Sequence, residues 1–81
     1  MDKRIGVVAI IVEDIDSVKM VNSILSSYSE VIIGRMGVPY KEKNVNVISI
    51  IVDGTTDNIG AMTGKLGRLK GVTVKSALTK K

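Results

Sequence analysis

The chain has 81 residues and a formal net charge of +4, and it contains neither cysteine nor histidine. Residues 1–81 are predicted to form a single domain, and because so short a chain buries only roughly 60% of its unfolded surface, self-association is expected to stabilise it. The missing residue types exclude disulfides, thiolate or imidazole metal sites, and nucleophilic machinery built on Cys–His or Ser–His pairs.

The first predicted element is a strand over residues 4–12, a run of mostly β-branched aliphatic residues that is too short for a typical helix. The run is also too short to cross a bilayer. Glu13 and Asp14 follow it, where a secretory signal would need a small-residue cleavage site. We therefore expect a cytoplasmic protein without a membrane partner.

A helix and a second strand are predicted next. Asp14 and Asp16 are the candidate N-caps of the helix. Its apolar positions recur at helical spacing and leave the other faces polar; they are Val18, Val21, Leu25 and Tyr28. A strand over residues 31–38 follows, and Pro39 is predicted to end its pairing, which makes residues 39–44 a hairpin connection.

The second half of the chain repeats the first. A strand is predicted over residues 45–53, a turn with candidate N-caps over 54–57, a helix that ends near Gly67 or Gly71, and a strand over 72–78. The apolar helical positions recur 41 residues later, at Ile59, Met62, Leu66 and Leu69. Two βαβ halves predict an α+β, ferredoxin-like split βαβ fold (βαββαβ), with a four-stranded antiparallel sheet and two helices on one face.

The first and third predicted strands are apolar on both faces. Because side chains alternate along a strand, Val7 and Val8 point to opposite faces, and the third strand shows the same pattern. Both helices must cover one face of a right-handed split βαβ sheet, so the other face has no cover inside the chain. We expect these strands to be the central pair, and the open face to be buried in a homo-oligomer.

The segment over residues 60–66 has the composition of a phosphate-binding loop but not its spacing. It is one residue too short, Leu66 stands where a magnesium-binding hydroxyl is needed, and the segment lies inside a helical stripe. Gly64 and Gly67 are instead interpreted as positions that let the helix end pack closely or turn toward the last strand.

The acidic loops before the two helices contain the candidate ligand-binding residues. Glu13 and Asp14 follow the first strand, and Asp53, Gly54 and Thr55 follow the third. Both loops are expected at one end of the sheet, at strand C-termini. Helix capping explains most of these residues, and the calcium-loop spacing is absent, so neither a metal site nor a cofactor is predicted.

Nucleic-acid binding is not expected from this chain. RNA-recognition domains of this fold stack bases on strand aromatics, whereas Tyr28 and Tyr40 lie outside the predicted strand interiors and there is no Phe or Trp. Arg35 and Lys75 could each bind a carboxylate or phosphate, but a cation that discourages pairing at an edge strand is the commoner role. The remaining basic residues are interspersed with carboxylates or lie at the chain ends.

Several sequence blocks resemble the small stand-alone regulators of the iron-only hydrogenase system. They are Gly-Arg-Met-Gly-Val-Pro at 34–39, Val-Asp-Gly-Thr at 52–55, Thr-Gly-Lys-Leu-Gly-Arg-Leu at 63–69 and Gly-Val-Thr-Val-Lys at 71–75. The resemblance implies an ACT-like fold, similar to the C-terminal domain of the nickel-responsive repressor, and dimers or tetramers. It also implies a ligand site at Glu13 and Asp14, with 53–55 as the pseudo-equivalent loop. The nickel-binding histidines and cysteine of that repressor are absent, which excludes nickel sensing by those ligands.

The residues and the resemblance together predict a non-enzymatic, oligomeric regulatory module that binds a small polar metabolite at a subunit interface. The alternative is a protein–protein assembly or maturation factor without a small ligand. No catalytic residue is predicted.

Overall fold

The fold is an antiparallel four-stranded sheet with two helices. The computed structural model describes residues 3–79. Its elements are β1 (Lys3–Val12), a 3-10 turn (Ile15–Ser17), α1 (Val18–Ser27), a second 3-10 turn (Ser29–Val31), β2 (Ile32–Tyr40), β3 (Val45–Thr55), α2 (Thr56–Gly67) and β4 (Val72–Leu78). The strand order is β2-β3-β1-β4. The predicted ferredoxin-like α+β fold is confirmed, with β1 and β3 as the central pair.

The core lies between the helices and one face of the sheet. Alternate residues of β1 and β3 supply the sheet side, and the predicted stripes of both helices supply the other. The buried apolar side chains of this cluster are Val8, Ile10, Val12, Val21, Leu25, Ile48, Ile50, Val52, Ile59, Met62 and Leu66. Alternation in the strands and 3.6-residue spacing in the helices therefore account for the core.

The other side of the sheet is apolar and uncovered within residues 3–79. Ile5 is 52% exposed, Val7 46% and Ile51 47%. The strand register places small or apolar residues of three strands on this side, here called the open face: Ile5, Val7, Ala9, Ile11, Met36, Val38, Val47, Ser49 and Ile51. The predicted second apolar face is confirmed.

The hairpin between β2 and β3 is tighter than predicted. Pro39 pairs with Asn46 and Tyr40 with Val45, so the turn contains only the four residues after Tyr40, and Asn44 closes it with φ 59°. The prediction that Pro39 ends the pairing was wrong. β2 is an edge strand, where a residue without an N–H group is tolerated if its backbone nitrogen faces solvent and not the neighbouring strand.

The boundary between β3 and α2 also differs from the prediction. Gly54 and Thr55, predicted in a turn, pair with Arg4 and Lys3 at the end of β3, and α2 begins at the next residue. The helix ends at Gly67. Within residues 3–79, neither helix has the length and apolar composition that crossing a bilayer requires.

Candidate functional site

The two acidic loops lie at opposite ends of the sheet, and the expectation of a shared end was wrong. Val12 at the end of β1 pairs with Asn46 near the start of β3, whereas Lys3 pairs with Thr55. β1 and β3 are antiparallel neighbours, so their C-termini are separated by the length of the strands, about 30 Å for ten residues. Glu13 therefore cannot share a small ligand with the loop at 53–55 of the same chain.

Asp14 has a structural role in the loop after β1. Its Oδ1 accepts a hydrogen bond from the Asp16 backbone N–H at 3.0 Å and caps the 3-10 turn that leads into α1. Its Oδ2 lies 3.9 Å from the Nζ of Lys70. The capping interpretation is confirmed for Asp14, and both of its carboxylate oxygens have protein partners.

The same loop is held against the turn that precedes β4. The backbone N–H of Glu13 donates to the carbonyl of Gly71 at 2.7 Å, and the hydroxyl of Ser17 donates to the carbonyl of Lys70 at 2.7 Å. Gly71 has φ 71°, and a Cβ there would lie 2.7 Å from the Cβ of Asp14. Ser17, a buried polar residue, was not singled out from the sequence, because the contact joins residues that are 53 positions apart.

One cleft, here called the Glu13 cleft, opens between the loop after β1 and the β2–β3 hairpin. Its volume is about 340 Å³, and its lining residues are Val12, Glu13, Ile15, Pro39, Tyr40, Lys41, Asn44, Val45 and Asn46. Glu13 and Lys41 carry opposite charges, and Asn44 and Asn46 add amides that can both donate and accept hydrogen bonds. The cleft therefore combines both signs of charge and two amides with apolar lining residues. Asp14 does not line it.

A second cleft, here called the Asp53 cleft, lies at the opposite end of the sheet. Its volume is about 370 Å³, and its lining residues are Lys3, Ser27, Tyr28, Ser29, Glu30, Val31, Asp53, Gly54, Thr55 and Asn58. Two of the predicted site residues have structural roles here. Thr55 Oγ1 accepts from the Asn58 backbone N–H at 3.1 Å as the N-cap of α2, and Gly54 is buried against Val31.

Two further polar positions were considered from the sequence. The Nη2 of Arg35 donates to the Oδ1 of Asn22 at 3.0 Å and so ties β2 to α1. Lys75 lies on β4 opposite Ala9 of the open face. Between residues 3 and 79, no group of three or more acidic side chains is arranged to hold a metal ion.

Comparison with known proteins identifies the family. Residues 4–76 match the TM1266-like family, which carries the provisional description of an iron-only hydrogenase system regulator. The chain is also similar to the solved structure of the uncharacterized protein TM1266 from Thermotoga maritima. The TM-score is 0.92 and the sequences are 36% identical, over 98% of this chain and 100% of that one. No curated protein matches the chain significantly. The chain belongs to the TM1266-like family.

Proposed function

We propose that the protein is a non-enzymatic, oligomeric regulatory module of the iron-only hydrogenase system. In this proposal a second copy packs on the open face, and a small polar metabolite binds in the Glu13 cleft. The observation that carries the proposal is the uncovered apolar side of the sheet, since a monomer of this size loses stability by leaving it in water.

The open face has the dimensions of a dimer interface. Four strands about 4.8 Å apart and about ten residues long, at roughly 3.3 Å per residue, give a face of about 600 Å² in projection. A stable interface buries roughly 800 Å² of accessible surface per partner. Side-chain relief makes the accessible surface of the face larger than its projection, so one copy of this sheet is enough to cover another.

The composition of the open face also favours a second copy. The central residues of the face on β1 and β3 carry no charge, and the charged residues lie toward its rim, with Lys75 on β4 and Asp53 beside Ile5. Depletion of charge at the centre and a polar rim are typical of protein interfaces. Two such faces pack with aligned strands, as in a β-sandwich.

The Glu13 cleft is the better of the two ligand candidates. The carboxylate of Glu13 has no hydrogen bond or ion pair among residues 3–79 and is available to a cationic group, and Lys41 on the other wall is available to an anionic one. The Asp53 cleft contains two residues that are already engaged in capping and packing. A small metabolite with both charges fits the first cleft best.

Self-association through the open face is tested by Ile51→Lys. A lysine at the centre of the interface would have to be buried, so the oligomer mass should fall while the monomer stays folded, because Ile51 is 47% exposed in the single chain. Met20→Lys is the matched control, since Met20 is 53% exposed on α1, away from the sheet. Equal masses for the two variants, measured by light scattering, would contradict the interface.

Ligand binding is tested by thermal unfolding with a panel of amino acids, nucleotides and metal ions. A ligand at 100 times its Kd stabilises the native protein by about 2.7 kcal/mol. Glu13→Gln should abolish the shift, and Glu30→Gln, at the other end of the sheet, should keep it. If Glu30→Gln abolished the shift and Glu13→Gln kept it, the ligand would bind in the Asp53 cleft. If no compound shifted the unfolding temperature, the metabolite role would be contradicted and the assembly-factor alternative favoured.

A further inference from the structure

We propose that the protein has a second self-association surface, formed by β4 and the glycine-bearing side of α2, through which two copies join their sheets edge to edge. This surface is separate from the open face and does not depend on it. Its occupant is a second copy of this chain, with β4 antiparallel to β4 and α2 beside α2 across a two-fold axis.

The first observation concerns the glycines of α2. Gly60, Gly64 and Gly67 recur at helical spacing, and within residues 3–79 an ideal Cβ built at any of them meets no atom within 4 Å apart from its chain neighbours and the backbone of its own helix. Each glycine inside a helix is about 0.5–1 kcal/mol less favourable than alanine. Of the two roles predicted for Gly64 and Gly67, close packing of the helix end was wrong within residues 3–79, whereas the helix does end at Gly67 and turn toward β4. Because these three positions carry no side chain, another chain has room to approach α2 closely from outside.

The second observation is the space that these glycines leave. An open groove of about 480 Å³ lies between α2 and β4, lined by Gly60, Thr63, Gly64, Gly67 and residues 72–76. The long side chain of Lys65 turns away from it, because its Nζ lies 5.3 Å from the ring centroid of Tyr28 on the α1 side. The groove therefore runs along the free edge of the sheet without a bulky side chain from α2.

The third observation is that the two sheet edges differ. β4 pairs with β1 on one side, and no strand within residues 3–79 occupies its other side. It contains no proline and its register with β1 has no shift. β2, at the other edge, contains Pro39 and a register shift between Ile32 and Gly34, both of which discourage further pairing. A regular edge with free N–H and C=O groups pairs readily with another strand.

Sheet geometry explains why the groove needs glycine. α2 packs mainly against β4 and also contacts β3 and β1. Joining β4 to β4 of a second copy would set the two α2 axes apart by about two strand spacings, near 10 Å. Helices pack at axis separations of 8–10 Å, and the closer approaches require small residues at the contact. The glycine side of α2 would face its counterpart at this distance.

Charge selects the register of the new strand pair. Both copies present their helices on the same side, so opposite residues must share a face and the pair is centred on a single residue. The two candidates are Lys75, the middle of β4, and Val74, the middle of the stretch 72–76 that lines the groove. Centring on Lys75 sets two like charges opposite each other, which is unfavourable. Centring on Val74 places Lys75 opposite Thr73 of the second copy. The two α2 helices would run antiparallel, which also sets their dipoles in a favourable arrangement.

Gly64→Leu tests the surface by filling the groove. Among residues 3–79, a Cβ at this position meets nothing within 4 Å beyond its chain neighbours and its own helix backbone, and leucine is a better helix former. The monomer should therefore stay folded while the oligomer mass halves. Ala61→Leu is the control, because Ala61 is exposed on α2 outside the groove. An unchanged mass for Gly64→Leu would overturn the proposal, whatever the result for Ile51→Lys at the open face.

A disulfide test reads the register directly. The chain has no cysteine, so a single substitution supplies one thiol per copy. In the register centred on Val74, two cysteines at position 74 face each other at a separation that a disulfide can span, whereas those at position 76 do not. Mild oxidation should therefore give a covalent dimer of Val74→Cys and little of Ser76→Cys. Equal crosslinking of the two variants would overturn the proposal.

Discussion

Gly71 allows the turn before β4 to lie against the loop after β1. It combines a positive φ with a backbone that lies against Asp14, where a Cβ would be 2.7 Å from the Asp14 Cβ and 2.9 Å from its backbone N. Its carbonyl also accepts the hydrogen bond from Glu13. Glycine is therefore required here by both conformation and space.

Gly71→Ala should lower the free energy of unfolding by about 2 kcal/mol, since the left-handed conformation and the displaced Asp14 both oppose it. Gly37→Ala is the control, because its Cβ would meet only the Ile48 side chain at 3.9 Å and its φ is negative-region backbone. Urea denaturation at one protein concentration compares them. Equal midpoints would contradict the role assigned to Gly71.

Ser17 is the buried polar residue of the same contact. Ser17→Ala removes the 2.7 Å hydrogen bond to the Lys70 carbonyl, and we expect a loss of about 1 kcal/mol in unfolding free energy. Ser27→Ala is a suitable control, because this exposed hydroxyl bonds only to the Ser23 carbonyl of its own helix. A loss for Ser27→Ala as large as that for Ser17→Ala would contradict the specific contact.

The sequence predicted the local roles of the loop residues better than their long-range contacts. Capping by Asp14 follows from its place before a helix, and the structure confirms it. The partnership of Ser17 with Lys70 could not be predicted, because no local pattern records a hydrogen bond between residues 53 positions apart. Glu13 and Asp53 stay predictions as ligand-binding residues.

At the scale of elements, periodicity placed every strand and helix, and the errors fell at their ends. Pro39 was predicted to end the second strand and Gly54 to lie in the turn after the third, yet both residues pair within strands. At Pro39 the edge position of β2 makes a missing N–H harmless. At Gly54 the reason is packing, since a Cβ would collide with Val31, so this glycine marks a close approach inside a strand.

The start of α2 gives a prediction at this scale. Thr55→Ala removes the oxygen that accepts from the Asn58 N–H and should lower the unfolding free energy by about 1 kcal/mol, whereas Thr55→Ser should restore most of it. Thr56→Ala, one residue into the helix and exposed, serves as the control. Thermal unfolding followed by circular dichroism measures the three variants. An equal loss of unfolding free energy in Thr55→Ser and Thr55→Ala would contradict capping by the Thr55 hydroxyl.

At the scale of the whole molecule, the internal repeat predicted the fold correctly but led to a wrong prediction of where the two acidic loops lie. Two equivalent halves suggest two equivalent loops at one end of the sheet. In the split βαβ fold the central strands of the two halves are antiparallel, so their loops are about 30 Å apart. The open face could be predicted because alternation in two strands leaves an apolar side that two helices cannot cover.

Both proposed interfaces follow from surfaces that the single chain leaves uncovered at this scale. The open face leaves apolar side chains in water, and the β4 edge leaves backbone groups and a glycine groove without a partner among the described residues. Each of the two surfaces is self-complementary about a two-fold axis, and together they close a four-chain assembly when the two axes intersect at right angles.

The most direct measurement is the mass of the native protein in solution at micromolar concentration, by light scattering coupled to gel filtration. Burial of the open face predicts an assembly of at least two chains, and the additional β4–α2 contact predicts four. A monodisperse species with the mass of one chain would contradict the central claim that the apolar side of the sheet is covered by a second copy.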